Sequence, residues 1–496
     1  MSHEEATRAA GRLPTEGWYA ALGLVTLFSA GAVVEALRIG SLRNPVVWGH
    51  LRDGTWILAN RSVPRMGIFS QASNLPWRDF SWGYDAVAAI TYRILGLRAV
   101  PALAMGFRVL AAVALFLLAF RAGRLLGAMA VAAIGLYAVS GIGPESTGAS
   151  AVLFAVELLL LLKWRAEPDS QLKYGVPVLF LVWANLDIGW IYGIVALGLF
   201  VASEFARQIG GRRGITPSTK KIVRDTAVVF VVCLVVSGIT PYGYASYLAF
   251  WQMETGAANL NIPGYGAMGF RQSLDYVVLL LGMGAFLALG LRRSRDVFLI
   301  AVLCGSTALA FHSQRENWLL VVSAVAVIGS MLSDAGDSES AMALRKFSLP
   351  WVPIAELTLA MVGLVFFVLV PRDNNALMNR VAQTFPVKAC DYIRSERLRQ
   401  PLFNAYEWGA FVTWYLPEYP VAIDGRRGLY PEELENGYFK VMKADVPYQT
   451  LSAMKDARTI LLPKSNVLGG GLRNVSWFTV SYEDDVALVL LQGARE

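Results

Sequence analysis

Pro101 to Phe120 reads PALAMGFRVLAAVALFLLAF, twenty residues with one charge, Arg108. A helix of that length rises about 30 Å, the hydrocarbon thickness of a bilayer. Working outward, runs of the same character recur near 18–37, 125–141, 149–163, 174–185, 189–206, 225–241, 275–291, 297–312, 317–333 and 351–371, about eleven in all. The short run 174–185 is expected to form a broken pair with its successor across Asn185-Leu186-Asp187. The whole chain agrees with this local reading: it is 55% hydrophobic and 16% charged, with mean hydropathy +0.47. Soluble domains carry roughly a quarter charged residues, so lipid is the solvent of this chain and the fold class is a polytopic α-helical membrane protein.

The net charge of +7 does not point to nucleic acid, because Lys and Arg sit in short clusters between apolar runs. Alternate connections collect them: Arg8 and Arg12; Arg121 and Arg124; Lys163, Arg165 and Lys173; Arg207, Arg212, Arg213, Lys220, Lys221 and Arg224; Arg292, Arg293 and Arg295; Arg345 and Lys346. The positive-inside rule makes these connections cytoplasmic. The intervening segments are poor in base: 141–150 has none, and 242–274 has only Arg271. Loop 38–84 carries several arginines but is long, and long loops obey the rule weakly, so it is assigned to the outer face. The expected localisation is the plasma (inner) membrane, with the first run an uncleaved anchor, the N-terminus cytoplasmic and the C-terminus periplasmic or extracellular.

Two domains are expected, a transmembrane domain over 1–371 and a small α/β domain over 372–496. After Pro371 the apolar runs stop, and LFNAY, YPVAID, TILLP, WFTVSY and VALVLL alternate with helical patterns such as PEELENGYFKVMKA. Gly469-Gly470-Gly471 does not follow the dinucleotide fingerprint and reads as a mobile loop. Three cysteines and three histidines, with no CxxC, suggest neither a disulfide framework nor a Cys/His metal site. The residue content requires no cofactor and leaves a divalent cation open.

Ionisable side chains inside spans are costly and are functional candidates by default. Arg108, Glu157 and Asp187 stand out here. Arg108 and Glu157 read either as a buried ion pair locking two helices or as ligand groups. Asp187, at the end of a short span beside Gly189, reads as a binding residue at an unwound break. Loop 38–84 is dense in Trp48, His50, Arg52, Asp53, Trp56, Arg61, Arg65, Trp77, Arg78, Asp79, Trp82 and the adjoining Asp85. Such a mixture suits either lipid-interface anchoring or a phosphorylated sugar, whose faces aromatic rings cover while arginines grip phosphate. Arg315, in His312–Trp318, is placed on the same face. Asp53, ahead of Gly54, also reads as a turn or cap, and Asp85 as a helix start.

The string Trp48-Gly49-His50-Leu51-Arg52-Asp53-Gly54-Thr55-Trp56, followed by Val63-Pro64, Phe69-Ser70 and Pro76-Trp77, resembles the first external loop of a bacterial family of GT-C-type membrane glycosyltransferase-like proteins. Trp183-Ala184-Asn185-Leu186 is similar to that family's WANLHG, Pro241-Tyr242-Gly243 to its NPYG, and Phe403–Gly409 with Ile423–Arg426 to its C-terminal signatures. The resemblance implies a GT-C-like fold and transfer of a sugar from a polyprenyl-phosphate donor at the outer face, with membrane lipid as partner and an unidentified acceptor. It also implies an acidic residue in the first external loop that assists the acceptor. Where the family reads DPDLWWHL, this chain has Asn44–Leu51 without either acid, and Asp187 replaces the WANLHG histidine. Asp79 and then Asp187 are the expected substitutes for the base, while Trp48, His50, Arg52, Asp53, Trp77, Arg78, Trp82 and Arg315 are expected to bind substrate. A catalytically inactive relative that binds glycan or lipid, and a transporter, are the alternative readings.

Overall fold

The computed structural model describes residues 15–120, 125–210, 217–256, 261–262, 264–292, 294, 296–333 and 349–493. Every apolar run is helical: α1 Thr15–Arg38, α4 Ala99–Ala119, α5 Leu125–Ala138, α6 Ser146–Ala166, α7 Leu172–Leu186, α8 Trp190–Gly210, α9 Pro217–Val236, α11 Ser273–Leu291, α12 Val297–His312, α13 Asn317–Ser333 and α14 Trp351–Leu369. Among the described residues seven helical segments are long and apolar enough to cross a membrane, and α5, α7 and α12 are shorter apolar helices. The helices α7 and α8 break across 187–189, as the Asn185-Leu186-Asp187 sequence suggested. Arg8, Arg12, Arg121, Arg124, Arg212, Arg213, Arg293, Arg295, Arg345 and Lys346 lie outside the described residues.

The polar groups within the bundle are paired differently from the sequence expectation. Arg108 of α4 meets Glu35 of α1 at 3.1 Å, not Glu157. The reason is helix adjacency: α1 lies directly on α4 because position 31 is glycine, where a Cβ would stand 2.8 Å from that of Arg108. Glu157 is fully buried in α6, and neither carboxyl oxygen has a hydrogen-bond partner. At the opposite end of the bundle, Arg165 bridges Glu204 and Asp296 at 2.7 Å each, tying α6 to α8 and α12. Lys173 and Asp225 join α7 to α9 at 2.8 Å.

Loop 38–84 is partly helical, with α2 Val46–Asn60, and leads into α3 Trp82–Leu95. The helices α2 and α3 press together at Gly54, where a Cβ would fall 1.9 Å from the Asp85 carbonyl oxygen. The other face of α2 packs on the C-terminal segment, where Trp48 sits edge-on to Phe385 and Phe411 with ring centroids 5.7 and 5.4 Å away.

That segment contains α15 Asn374–Val381, α16 Val387–Ser395, α17 Tyr406–Tyr415 and α18 Glu432–Met442 around a four-stranded sheet. The strands are β1 Leu402–Asn404, β2 Thr459–Pro463, β3 Phe478–Glu483 and β4 Ala487–Gln492, in the order β1-β2-β4-β3. β1 and β2 run parallel and the other pairs antiparallel. YPVAID is not a strand of this sheet. Pro420 lacks a donor, the Asn404 side chain takes the amide of Ala422 at 2.8 Å, and Val421 pairs with loop 38–84 through Gln71 at 2.9 Å. Gly469-Gly470-Gly471 is also not a loop but part of a short helix, Val467–Leu472, capped by Asn466.

Candidate functional site

A buried carboxyl cluster lies where α2, α3 and the 76–81 turn converge. His50 Nδ1 is 2.5 Å from Asp85 Oδ1. Burial depresses the His50 pKa despite four surrounding acids, which favours the neutral ring. Asp79 Oδ1 accepts from the Ser81 amide at 3.0 Å and the Ser81 hydroxyl at 3.2 Å. Its other oxygen has no hydrogen-bond partner. Burial first, and then the neighbouring Asp85 carboxyl, raises the Asp79 pKa well above the usual range. Asp53 is pushed up to about 8, first by burial and then by Asp79, with Arg426 opposing. Among the described residues no group of three or more His, Cys, Asp or Glu is placed to hold a metal ion.

The α7–α8 break is held by Asp187. Ser146 and Ser150 donate to its two oxygens at 2.6 and 2.5 Å, and the Gly189 amide adds a third bond at 2.9 Å. The Trp183 indole donates to Ser150 at 2.7 Å. Asn185 accepts from the Trp82 indole at 3.1 Å, which fixes the start of α3 on the end of α7. Tyr242 completes the frame: its hydroxyl donates to the Pro64 carbonyl at 2.8 Å and accepts the Asp79 amide at 3.1 Å.

Beside this frame a cleft of about 370 Å³ opens between the 76–80 turn, helix α10 (Ala245–Thr255) and residues 427–435. Trp77, Phe80 and Tyr430 give it aromatic walls, while Arg78, Arg427, Glu432 and Glu435 supply charge. The turn that carries Trp77 is anchored from below. Arg426 is paired with Asp424 at 2.8 Å and lies over the Trp77 ring, 5.0 Å from its centroid. Arg427 donates to the Met253 carbonyl and meets Glu254 at 3.4 Å. It shares the Tyr265 ring with Arg315, their guanidinium carbons 4.2 and 4.9 Å from the centroid. Burial and Arg315 lower the Arg427 pKa. Burial pushes Glu435 up to about 7, against the pull of Arg427 and with help from Glu432.

The expected residues divide among these features. Trp77 and Arg78 line the cleft, and Arg315 reaches it through Tyr265. His50, Asp53 and Asp79 form the enclosed cluster, and Asp187 holds the helix break. Arg52 lies over the Phe69 ring at 4.4 Å, Trp82 is bound to Asn185, and Trp48 is buried in the aromatic core. In the sequence Asp424-Gly425-Arg426-Arg427 reads either as a ligand-facing strand end or as a plain Asp-Gly turn, and the fold sets Arg427 against the cleft. Glu435 is not marked in the sequence, because a charged helix start looks solvated until the fold sets it against the 76–80 turn.

No protein-family model and no curated protein matches the chain. Among solved structures it is similar to the archaeal oligosaccharyltransferase AglB from Archaeoglobus fulgidus, in complex with an inhibitory peptide and a dolichol-phosphate. That match has TM-score 0.55 and 11% identity over 91% of this chain and 70% of that one. A second structure of the same organism's oligosaccharyltransferase, with Zn and sulfate, gives TM-score 0.52 at 12% identity, over 89% and 68% of the two chains. ArnT from Cupriavidus metallidurans bound to undecaprenyl phosphate gives 0.49 at 15% identity, over 96% and 98%. The chain has a GT-C-type fold, a bundle of membrane helices with a small sheet-bearing segment at its C-terminus.

Proposed function

We propose that the chain is a membrane glycosyltransferase that takes a sugar from a polyprenyl-phosphate donor in the cleft between the 76–80 turn, α10 and residues 427–435. The observation that carries this reading is the cleft itself, where aromatic walls, two arginines and a half-buried carboxyl converge. The fold it shares with AglB, whose structure holds a dolichol-phosphate, supports a lipid-phosphate carrier. In this reading Trp77, Phe80 and Tyr430 cover the faces of the sugar. Arg78 and Arg427 bind the phosphate, whose negative charge grows as it leaves.

Glu435 is the proposed base. The bond from the anomeric carbon to the donor phosphate breaks, and the polyprenyl phosphate departs with the electron pair. A nucleophilic acceptor oxygen forms the new bond, and Glu435 receives its proton. A carboxyl poised near neutral pH matches that task. Asp79 and Asp187 act as positioning residues, the first fixing the turn beneath Trp77 and Arg78, the second fixing the helix break. The distribution of base between apolar runs supports an inner-membrane protein with this cleft on the outer face.

A second reading, a carrier-binding relative without turnover, is favoured by the enclosure of Asp53, Asp79 and Asp187, each 6% exposed or less. Saturable binding of polyprenyl-phosphate sugars to the purified protein in nanodiscs tests the shared part of both readings. Arg78→Gln is expected to weaken binding about ten-fold, the worth of a charged hydrogen bond. Binding that is unchanged in that variant, or absent from the wild type, contradicts the assignment of the cleft.

A further inference from the structure

A second cavity, of about 240 Å³, lies apart from the cleft and is lined by Arg38, Ile39, Leu42, Arg43, Arg380 and Gln383. It begins where an apolar span ends, since Arg38 is the last residue of α1. The arginines are brought together by packing. Ile39 and Leu42 on one side and Leu377 and Val381 of α15 on the other are buried in one apolar cluster. The turn after α1 is held tightly as well. Ile39 adopts a left-handed φ of 47°, unfavourable for a β-branched residue, and the Ser41 amide is tied to the Glu35 carboxylate at 3.1 Å.

Three like charges on one small cavity repel, and no carboxylate lines it to offset them. None of the three arginines makes an ion pair among the described residues. Their polar contacts are weak: Arg43 donates to Gln383 at 3.3 Å and Arg380 to the Arg38 carbonyl at 3.5 Å. The negative end of the α1 dipole accounts for one cation in its last turn, not for three. A guanidinium fork presents several N–H groups suited to phosphate oxygens, and most of them are uncommitted here. Beside the cavity, Val34 and Leu37 of α1 are exposed apolar side chains at 44% and 61%, a surface for acyl chains directly below a phosphate.

We propose that Arg38, Arg43 and Arg380 form a binding site for the phosphate headgroup of an anionic membrane lipid. The phosphate diester occupies the cavity and its acyl chains lie along α1. The site is independent of the cleft and of the transferase reading.

Native mass spectrometry of the full chain, loaded with phosphatidylglycerol or phosphatidylcholine, tests it. The wild type is expected to retain one phosphatidylglycerol in preference to phosphatidylcholine. Each surface-facing arginine is worth roughly five-fold in binding an anionic headgroup, so Arg43→Gln with Arg380→Gln should weaken phosphatidylglycerol binding about 25-fold, leaving phosphatidylcholine unchanged. Arg43→Lys should keep part of the preference, which separates lost charge from misfolding. Equal retention of phosphatidylglycerol by wild type and double variant would overturn the site. Displacement of the lipid by millimolar inorganic phosphate would overturn the lipid assignment in favour of a free anion.

Discussion

The Ser150 hydroxyl donates to Asp187 Oδ2 at 2.5 Å while accepting the Trp183 indole N–H at 2.7 Å, so one side chain joins α6, α7 and the break before α8. Both Asp187 oxygens are used, and a charged acceptor strengthens each bond. Asp187→Asn replaces one acceptor with a donor that faces a hydroxyl. The expected cost is about 1–3 kcal/mol, read as a lower Tm in detergent. Binding of donor in the cleft should be retained, because the role is to hold the break.

The Arg108–Glu35 pair makes a sharper stability prediction. Glu35 is 1% exposed, and removing its charged partner leaves a buried carboxylate held only by the Ser41 amide. Arg108→Met should cost about 3–5 kcal/mol, and adding Glu35→Gln should recover much of it. A double-mutant cycle by thermal unfolding measures the coupling. Glu157 is the internal control: with no partner at either oxygen, Glu157→Gln should leave Tm unchanged or raise it.

Asp53 links stability to pH. The folded protein keeps its proton until about pH 8, whereas an unfolded aspartate releases it near pH 3.9. The folded state therefore binds the extra proton between those values, and stability falls as pH rises through the window. Asp53→Asn should flatten the fall in Tm between pH 5 and pH 8. An undiminished slope would show that Asp53 does not carry it.

The bundle was legible because hydrocarbon thickness dictates run length: the apolar runs are helical, and among the described residues seven helical segments are long and apolar enough to cross a membrane. The sheet was largely legible from β-rich stretches, apart from YPVAID, whose backbone groups go to Asn404 and loop 38–84 rather than to a strand. Pairings between distant helices were not legible. Glu35 sits inside the first apolar run, and only the packing of α1 on α4 at Gly31 brings it to Arg108. The site was half legible. Trp77 and Arg78 announced themselves by type, but the wall carrying Arg427 and Glu435 comes from the far end of the chain, and nothing local in the sequence marks which acids face a cleft and which turn inward.

Glu435 also predicts a pH profile. If it receives the acceptor proton, turnover should rise with pH through about 7 as the carboxyl ionises. Rates measured from pH 5 to pH 9 at saturating donor check this, and Glu432→Gln should shift the midpoint downward by removing a neighbouring negative charge.

The role of Glu435 as base is tested by turnover of a polyprenyl-phosphate sugar by purified protein in nanodiscs, comparing wild type with Glu435→Gln. The wild type should release polyprenyl phosphate, and the variant should lose about 10²–10⁴-fold in rate with donor binding intact. Turnover undiminished in Glu435→Gln would contradict the assignment of the base, and a wild type that binds donors without consuming any would contradict the transferase itself.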